Sequence, residues 1–288
     1  MSISSSSYTF RHAICNEVFQ GWKFHEACKK IREIGYTGIE IAPFTLSDTP
    51  ATITVEERKQ YRSIMNSEDL QFVGLHWLMV APKGLHVTTP DETLRGKSWD
   101  HIRDLIDLCA DLAGNTESDN GIMVFGSPFQ RSTTGGATCD DAVNRFRDLF
   151  QAMAAHAAAS HVKLLVEALP NAQSDVVNTL DEAMQIVHRC NLPSIQTMFD
   201  THNAADETER HEMVVDRHFD FIRHIHVNEM DGKHCGKGDY DFKPLLAKLR
   251  ERNYRGWVSL EAFDFSFGAE TIATESLRYL EAEIGKLS

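Results

Sequence analysis

Short apolar runs and longer amphipathic segments alternate regularly along this chain. Each short run is rich in β-branched and aromatic residues, and a turn-like stretch and then a segment of helical periodicity follow it. Runs of this length and composition are typical of β-strands. The pattern predicts strands at 10–14, 38–42, 70–77, 121–125, 162–167, Ile195–Asp200, 222–226 and 257–261.

The segments that separate these runs show the periodicity of helices, and local signals define some of their ends. Gly35 stands where the C-terminal cap of a helix belongs. Thr54, with Glu57 three residues later, forms the pattern of a capping box at a helix N-terminus. The pattern predicts helices at Phe24–Ile34, 54–66, 90–113, 139–160, 179–189, 207–217, 242–252 and 269–284.

The order of these elements indicates the fold. Alternating strands and helices imply a parallel sheet. Eight β-α units in 288 residues favour an α/β fold of the closed (β/α)8 type, a TIM barrel, with residues 1–288 forming one domain. A doubly wound open sheet is the alternative, and it usually has a glycine-rich phosphate turn after the first strand. Here residues 15–21 read CNEVFQG, and residues 1–7 are expected to be a flexible lead-in.

Composition and charge narrow the class of partner. The formal net charge of −13 opposes binding to phosphate backbones or to anionic membranes. No apolar run approaches the roughly 20 residues that cross a bilayer, and the first residues lack the features of a secretory signal. The six cysteines form no CxxC pair and suit a reducing compartment. We therefore expect a cytoplasmic protein without nucleic-acid or membrane partners.

The last four predicted strands all end on a possible metal ligand: Glu167, Asp200, His226 and Glu261. In a parallel barrel the C-terminal ends of the strands converge on the face that holds active sites. Any one of these carboxylates could instead cap the next helix. Four such groups together favour a divalent cation, because neighbouring carboxylates repel one another. A set rich in oxygen with one imidazole suits Mn²⁺, Mg²⁺ or Co²⁺ better than structural Zn²⁺.

The spacing of these residues carries a family resemblance. Intervals of 33, 26 and 35 residues separate them in order along the chain. The chain resembles the D-tagatose 3-epimerase/D-psicose 3-epimerase group of the xylose-isomerase-like TIM-barrel superfamily. The resemblance covers essentially the whole chain and is best in its C-terminal half. The motifs that carry it are VEALP at 166–170, FDTH at 199–202, HIHVN at 224–228, GKGDYDF at 236–242 and GWVSLE at 256–261.

The resemblance implies one divalent metal ion, with Mn²⁺ expected and Mg²⁺ or Co²⁺ as alternatives, bound by Glu167, Asp200, His226 and Glu261. It also implies that the two glutamates act as a general acid/base pair on the substrate. Such a cation would bind adjacent carbonyl and hydroxyl oxygens of a ketose, acidify the C–H bond between them and stabilise the cis-enediolate. The proton returns to the opposite face in an epimerase and to the neighbouring carbon in an isomerase.

The chain departs from the epimerase pattern at three positions. The substrate histidine of the pattern lies three residues after the aspartate ligand, whereas here His202 lies two after it and Asn203 takes the third place. Gly232 replaces an arginine, and Gln173 replaces a glutamate. Glu229 fits a supporting glutamate of the pattern, although it could equally be a solvated loop charge. These departures affect positions that bind substrate in the epimerase pattern, whereas the four metal-ligand positions match it. The pattern therefore supports the metal site better than it supports the 3-epimerase reaction.

Residues in the first half of the chain are further candidates for substrate binding. Glu40 and His76 lie at or near the ends of the second and third predicted strands, and His76 could equally be a core histidine. Trp77 could provide an apolar wall beside a sugar face. Lys83 and Arg131 lie in loops after strands, where they could reach an anionic group or could simply be exposed.

The favoured function is a metal-dependent epimerase or isomerase of a ketose or keto-sugar. The same site could serve a lyase, either a decarboxylase of a 3-keto sugar acid or an eliminase of a 3-keto glycoside. Endonuclease IV-like repair enzymes share this barrel, but they need a histidine-rich trinuclear zinc site and a basic face. A non-catalytic sugar-binding barrel is another alternative. We expect a sugar or sugar acid as the partner and a homodimer or homotetramer as the assembly.

Overall fold

The computed structural model describes residues 10–114 and 121–287, so the expected lead-in at 1–7 lies outside the described residues. Within those two ranges, eight parallel strands pair in chain order, and the last pairs with the first to close a barrel. The predicted (β/α)8 fold is confirmed. The strands are β1 Arg11–Cys15, β2 Gly38–Ile41, β3 Gln71–Leu75, β4 Ile122–Phe125, β5 Lys163–Val166, β6 Ile195–Asp200, β7 Ile222–Val227 and β8 Trp257–Leu260.

Helices follow the strands and pack around the barrel. The α-helices are α1 Phe24–Ile34, α2 Val55–Ser67, α3 Glu92–Ala113, α4 Pro128–Arg131, α5 Cys139–Ala159, α6 Leu180–Cys190, α7 His211–His218, α8 Phe242–Glu251 and α9 Ala269–Gly285. Short 3-10 helices occupy Asn16–Phe19, Pro43–Thr45, Pro50–Thr52, Asn203–Asp206, Phe219–Phe221 and Phe265–Phe267.

Two helical segments differ from the sequence prediction. The short helix α4 lies inside a stretch for which the pattern predicts a loop. Helix α7 starts at His211, four residues later than predicted, because Glu207 is extended and its carboxylate accepts a hydrogen bond from Leu180 N at 2.7 Å. That carboxylate thus serves the N-terminus of α6. The predicted capping box of α2 is confirmed, since Thr54 and Glu57 exchange both hydrogen bonds.

Among the residues that the structure describes, buried apolar side chains form two clusters. The larger one lies between the strands and the helices, as expected for a barrel whose helices cover it. The smaller one includes Ala13, Val73, Leu165, Met198 and Trp257. These residues precede the strand ends, so the polar ligands stand on an apolar base. Among the helices in the described ranges, none has the length and apolar character needed to cross a membrane.

Candidate metal centre

The barrel brings the four predicted ligands together. Asp200 is the last residue of β6, His226 lies in β7, and Glu167 and Glu261 directly follow β5 and β8. One ligand atom from each of the four lies within 4.8 Å of the other three, and all four side chains are buried. Residues separated by 94 positions in the chain therefore share one small volume, because strand ends converge at one face of the barrel.

The donor atoms of this cluster fit a divalent cation. His226 Nδ1 lies 3.0 Å from Glu261 Oε2 and 3.5 Å from Asp200 Oδ2. Within the described ranges, His226 Nδ1 and Asp200 Oδ2 are buried atoms without a hydrogen-bond partner. Buried polar atoms rarely lack a partner, and a bound ion is one way in which proteins satisfy them. Three carboxylates and one imidazole match the ligands of Mn²⁺ or Mg²⁺ better than those of structural Zn²⁺.

Burial and mutual repulsion set the electrostatics of the cluster. Burial, together with the nearby charges of Glu261 and Asp200, raises the pKa of Glu167 to about 8. Burial likewise raises the pKa of Glu261. Burial opposes the charge of His226, yet the carboxylates of Glu40 and Glu261 raise the pKa of that imidazole well above its ordinary value. In the metal-free chain, bound protons thus reduce the repulsion between the crowded carboxylates. A bound cation would displace those protons.

A buried layer beneath the ligands fixes the orientation of the imidazole. His226 Nε2 donates to Glu40 at 3.1 Å, so Nδ1 faces Asp200 and Glu261. His224 Nε2 donates to the same Glu40 carboxylate at 2.7 Å. Carboxylates behind a ligating histidine set its tautomer and its basicity. Glu40 is therefore corrected from a substrate contact to a support of His226, since it is fully buried and does not line the cavity.

Hydrogen bonds also hold the two glutamates. Asn203 Nδ2 donates to Glu167 Oε1 at 2.8 Å, and Trp77 Nε1 donates to Glu261 Oε1 at 2.7 Å. The Asn203 backbone N–H donates to Asp200 Oδ1 at 2.9 Å. Gly126 provides the space for this arrangement, because a Cβ atom there would lie 2.2 Å from Glu167 Oε2. One oxygen of each glutamate is therefore anchored by a hydrogen bond, and the other oxygen of Glu261, Oε2, lies 3.0 Å from His226 Nδ1.

A cavity of about 710 Å³ opens above the cluster. Glu167, Glu261 and His76 lie at its buried end, and Trp77 and Phe263 form an apolar wall. The two rings of that wall stack with their centroids 6.1 Å apart at an angle of 16°. The cavity has the size of a small-molecule site and combines apolar walls with a few convergent polar groups.

Five of the predicted substrate contacts line this cavity: His76, Lys83, Gln173, His202 and Asn203. Two others do not, besides Glu40. Glu229 is buried in the loop after β7, where its carboxylate accepts hydrogen bonds from Gly236 N at 2.7 Å and Tyr240 N at 3.0 Å. We therefore correct Glu229 from a substrate contact to a group that shapes this loop.

Arg131 is also corrected, because its side chain is fully buried away from the cavity. Its guanidinium donates to the backbone oxygens of Glu167 at 2.6 Å, Phe125 at 3.2 Å and Val177 at 2.9 Å. Burial lowers the pKa of Arg131 to about 9. The side chain ties the end of β4 to the end of β5 and to the following loop, so it supports Glu167 from behind.

Sequence reasoning missed several residues near the cluster. Glu17, in the first 3-10 helix, accepts a hydrogen bond from His76 Nε2 at 2.8 Å. Phe263 and Gly126 also went unnoticed. His224 offered a signal, because it stands two residues before His226 on the same strand and so points to the same side. Phe263 offered the same spacing after Glu261, but a single aromatic residue in a loop is a weak signal.

Comparisons with known proteins identify the family to which this barrel belongs. The family model described as "Xylose isomerase-like TIM barrel" matches residues 28–283. A probable ketose 3-epimerase of Synechocystis sp. is 22% identical over 196 residues, which cover 67% of this chain and 66% of that protein. An L-ribulose 3-epimerase of Methylomonas sp. is 23% identical over 230 residues, 80% of this chain and 74% of that protein.

Solved structures show the same barrel. The apo crystal structure of a 3-keto-D-glucoside 4-epimerase from E. coli superposes with a TM-score of 0.80 at 19% sequence identity. The alignment covers 95% of this chain and 99% of that one. At this level of identity the match shows the fold alone.

Proposed function

Because the chain belongs to the xylose isomerase-like TIM barrel family, we propose that it is a divalent-metal-dependent epimerase of a ketose or keto-sugar. One observation carries the proposal. Ligand atoms of Glu167, Asp200, His226 and Glu261 lie within 4.8 Å of one another at the buried end of a cavity that can hold a sugar. The names of the relatives support the substrate class, because they are a ketose 3-epimerase, an L-ribulose 3-epimerase and a 3-keto-D-glucoside 4-epimerase.

The four side chains would hold one ion, for which we expect Mn²⁺, with Mg²⁺ or Co²⁺ as alternatives. When bound, such an ion polarises adjacent carbonyl and hydroxyl oxygens and so acidifies the C–H bond between them. The deep burial of the ligands strengthens every charge interaction at this point, because water is largely absent. His226 is held for this role by Glu40, which fixes the free Nδ1 toward the carboxylates.

Glu167 and Glu261 would move the proton. One carboxylate removes the proton from the carbon next to the carbonyl, and the other delivers a proton to the opposite face of that carbon, which yields the epimer. Asn203 and Trp77 hold one oxygen of each glutamate, so the second oxygen keeps a fixed position for proton transfer. Return of the proton to the neighbouring carbon would give an isomerase instead, and the products distinguish the two.

The test is exchange of solvent deuterium into a panel of ketoses and 3-keto glycosides, followed by NMR with Mn²⁺ added. We expect exchange at a carbon next to the carbonyl and formation of one epimer. Glu167→Gln and Glu261→Gln should each lower the exchange rate by roughly 10²–10⁴-fold, the usual contribution of a positioned acid or base. Glu56→Gln, on the exposed face of α2, is the matched control and should leave the rate unchanged.

Retained exchange in both active-site variants would contradict the assigned roles. Release of CO₂ from a keto sugar acid, or of aglycone from a keto glycoside, would instead identify a lyase that uses the same site. Equal exchange before and after removal of metal with a chelator would contradict the metal dependence.

A further inference from the structure

The cavity is larger than a single sugar requires. A hexose has twelve non-hydrogen atoms. Even if each atom took up the roughly 30 Å³ of one water molecule in the liquid, the twelve would fill about 360 Å³. The cavity measures about 710 Å³. If the proposed reaction takes place at the buried end, about half of the space lies beyond the reacting sugar.

The two ends of the cavity differ in chemistry. Glu167, Glu261 and His76 are buried at the inner end. Phe129 and Val80 line the outer end, and they are 81% and 38% exposed. Single exposed apolar residues are common, but these two line the same cavity as the apolar wall formed by Trp77 and Phe263. A ligand that reaches the rim would cover them.

The turn that presents Phe129 is firmly held. Ser127, just before it, has a φ of 50°, which is uncommon for a residue other than glycine. Ser132 Oγ donates to Pro128 O at 2.7 Å, and Val87 N donates to Gln130 O at 2.8 Å. Arg131, two residues after Phe129, is buried and donates to three backbone oxygens. An exposed aromatic ring on a well-fixed turn loses little entropy when a ligand packs against it.

The charges around the cavity favour a neutral substituent over an anionic one. Among the described residues that line the cavity, Lys83 is the only lysine or arginine. A phosphate or carboxylate is usually recognised by clustered cations or by bidentate arginine. Apolar and aromatic side chains dominate the outer walls, so they match a neutral apolar group instead.

We propose that the outer part of the cavity, lined by Trp77, Val80, Phe129 and Phe263, is a subsite for an apolar aglycone. The preferred substrate is then a keto glycoside with an aryl or alkyl aglycone, and a free ketose is a poorer substrate. This inference rests on the proposed epimerase function for the reaction at the inner end. The subsite itself rests only on the shape and chemistry of the cavity.

The experiment compares two 3-keto glucosides that differ only in a methyl or a phenyl aglycone. The value of kcat/KM for deuterium exchange should be at least about tenfold higher for the phenyl compound, which corresponds to about 1.4 kcal/mol. Phe129→Ala should lower this preference by at least about threefold. Phe265→Ala removes a partly exposed phenylalanine outside the cavity, and it should leave both rates and their ratio unchanged.

Binding separates the failure of the subsite from the failure of the proposed reaction. Phenyl and methyl β-glucosides, which lack the keto group, are titrated calorimetrically into the wild type and into Phe129→Ala. Tighter binding of the phenyl compound that depends on Phe129 supports the subsite, even if neither keto glucoside exchanges deuterium. Equal binding of the two glucosides overturns it. If both keto glucosides exchange deuterium, equal kcat/KM for the two also overturns it.

A further outcome would also overturn the subsite. If light scattering shows that Phe129→Ala dissociates an oligomer while the phenyl preference persists, the ring packs against a second copy of the chain.

Discussion

Replacing Glu167 with glutamine should change the pH dependence of the stability of the metal-free protein. Burial and the nearby charges of Glu261 and Asp200 raise the pKa of Glu167 to about 8 from its ordinary value of 4.5. The folded chain therefore holds this proton more tightly than the unfolded chain. The stability that the proton contributes is fully present below about pH 4.5, and it is lost as the pH rises toward 8.

The size of the effect follows from these two values. Between pH 5 and pH 8, proton linkage removes roughly 3 to 4 kcal/mol from the free energy of unfolding. At about 2 °C per kcal/mol for a domain of this size, Tm falls by roughly 7 °C. Glutamine has a similar shape and stays neutral at every pH, so the variant should not show this loss. From pH 5 to pH 8 without metal, the stability of Glu167→Gln relative to the wild type should therefore rise by roughly 3 to 4 kcal/mol.

The assay is urea unfolding at pH 5 and pH 8 in the presence of a chelator, for the wild type, Glu167→Gln and the exposed control Glu56→Gln. Saturating Mn²⁺ should then stabilise the wild type by about 2.7 kcal/mol at a hundred times Kd, and it should stabilise Glu167→Gln far less. Parallel pH profiles for the wild type and Glu167→Gln would refute the reasoning, because the shifted proton would then lie elsewhere.

Three further substitutions test the support of the site. Glu40→Gln should lower Mn²⁺ affinity by about 10- to 100-fold in calorimetric titrations, because it weakens the contact that orients His226; unchanged affinity would show that Glu40 has no such role. Gly126→Ala places a Cβ atom 2.2 Å from Glu167 Oε2, so the exchange rate should fall at least about tenfold, and an unchanged rate would mean that the carboxylate can move without cost. Arg131→Met leaves three backbone oxygens without their donor and should lower the free energy of unfolding by about 3–5 kcal/mol in urea titrations, with a loss below 1 kcal/mol contradicting the proposed anchoring.

The fold and the metal cluster could be predicted from the sequence for one physical reason. Each buried strand is a largely apolar run, and a polar residue at or next to its C-terminal end lies at the mouth of the barrel. Glu167, Asp200, His226 and Glu261 all satisfy this rule, although up to 94 positions separate them. Closure of the barrel then brings them within 4.8 Å of one another without further information from the loops.

The residues that support the ligands could not be predicted in this way. Arg131 and Glu229 stand in stretches that the sequence pattern predicts to be loops, and a charged side chain in a loop is normally exposed. Their burial depends on backbone groups that the tertiary structure supplies, namely three carbonyl oxygens for Arg131 and two N–H groups for Glu229. The start of α7 was missed for a similar reason, because the side chain of Glu207 is used by a neighbouring helix.

The most direct test of the account is X-ray diffraction from crystals grown with Mn²⁺, with anomalous data recorded at the manganese edge. We predict one anomalous peak per chain at the buried end of the cavity, within bonding distance of one atom from each of Glu167, Asp200, His226 and Glu261. The same experiment on Glu167→Gln should show a weaker peak or none. A map without a peak at this position, or with the four side chains turned away from it, would contradict the central claim.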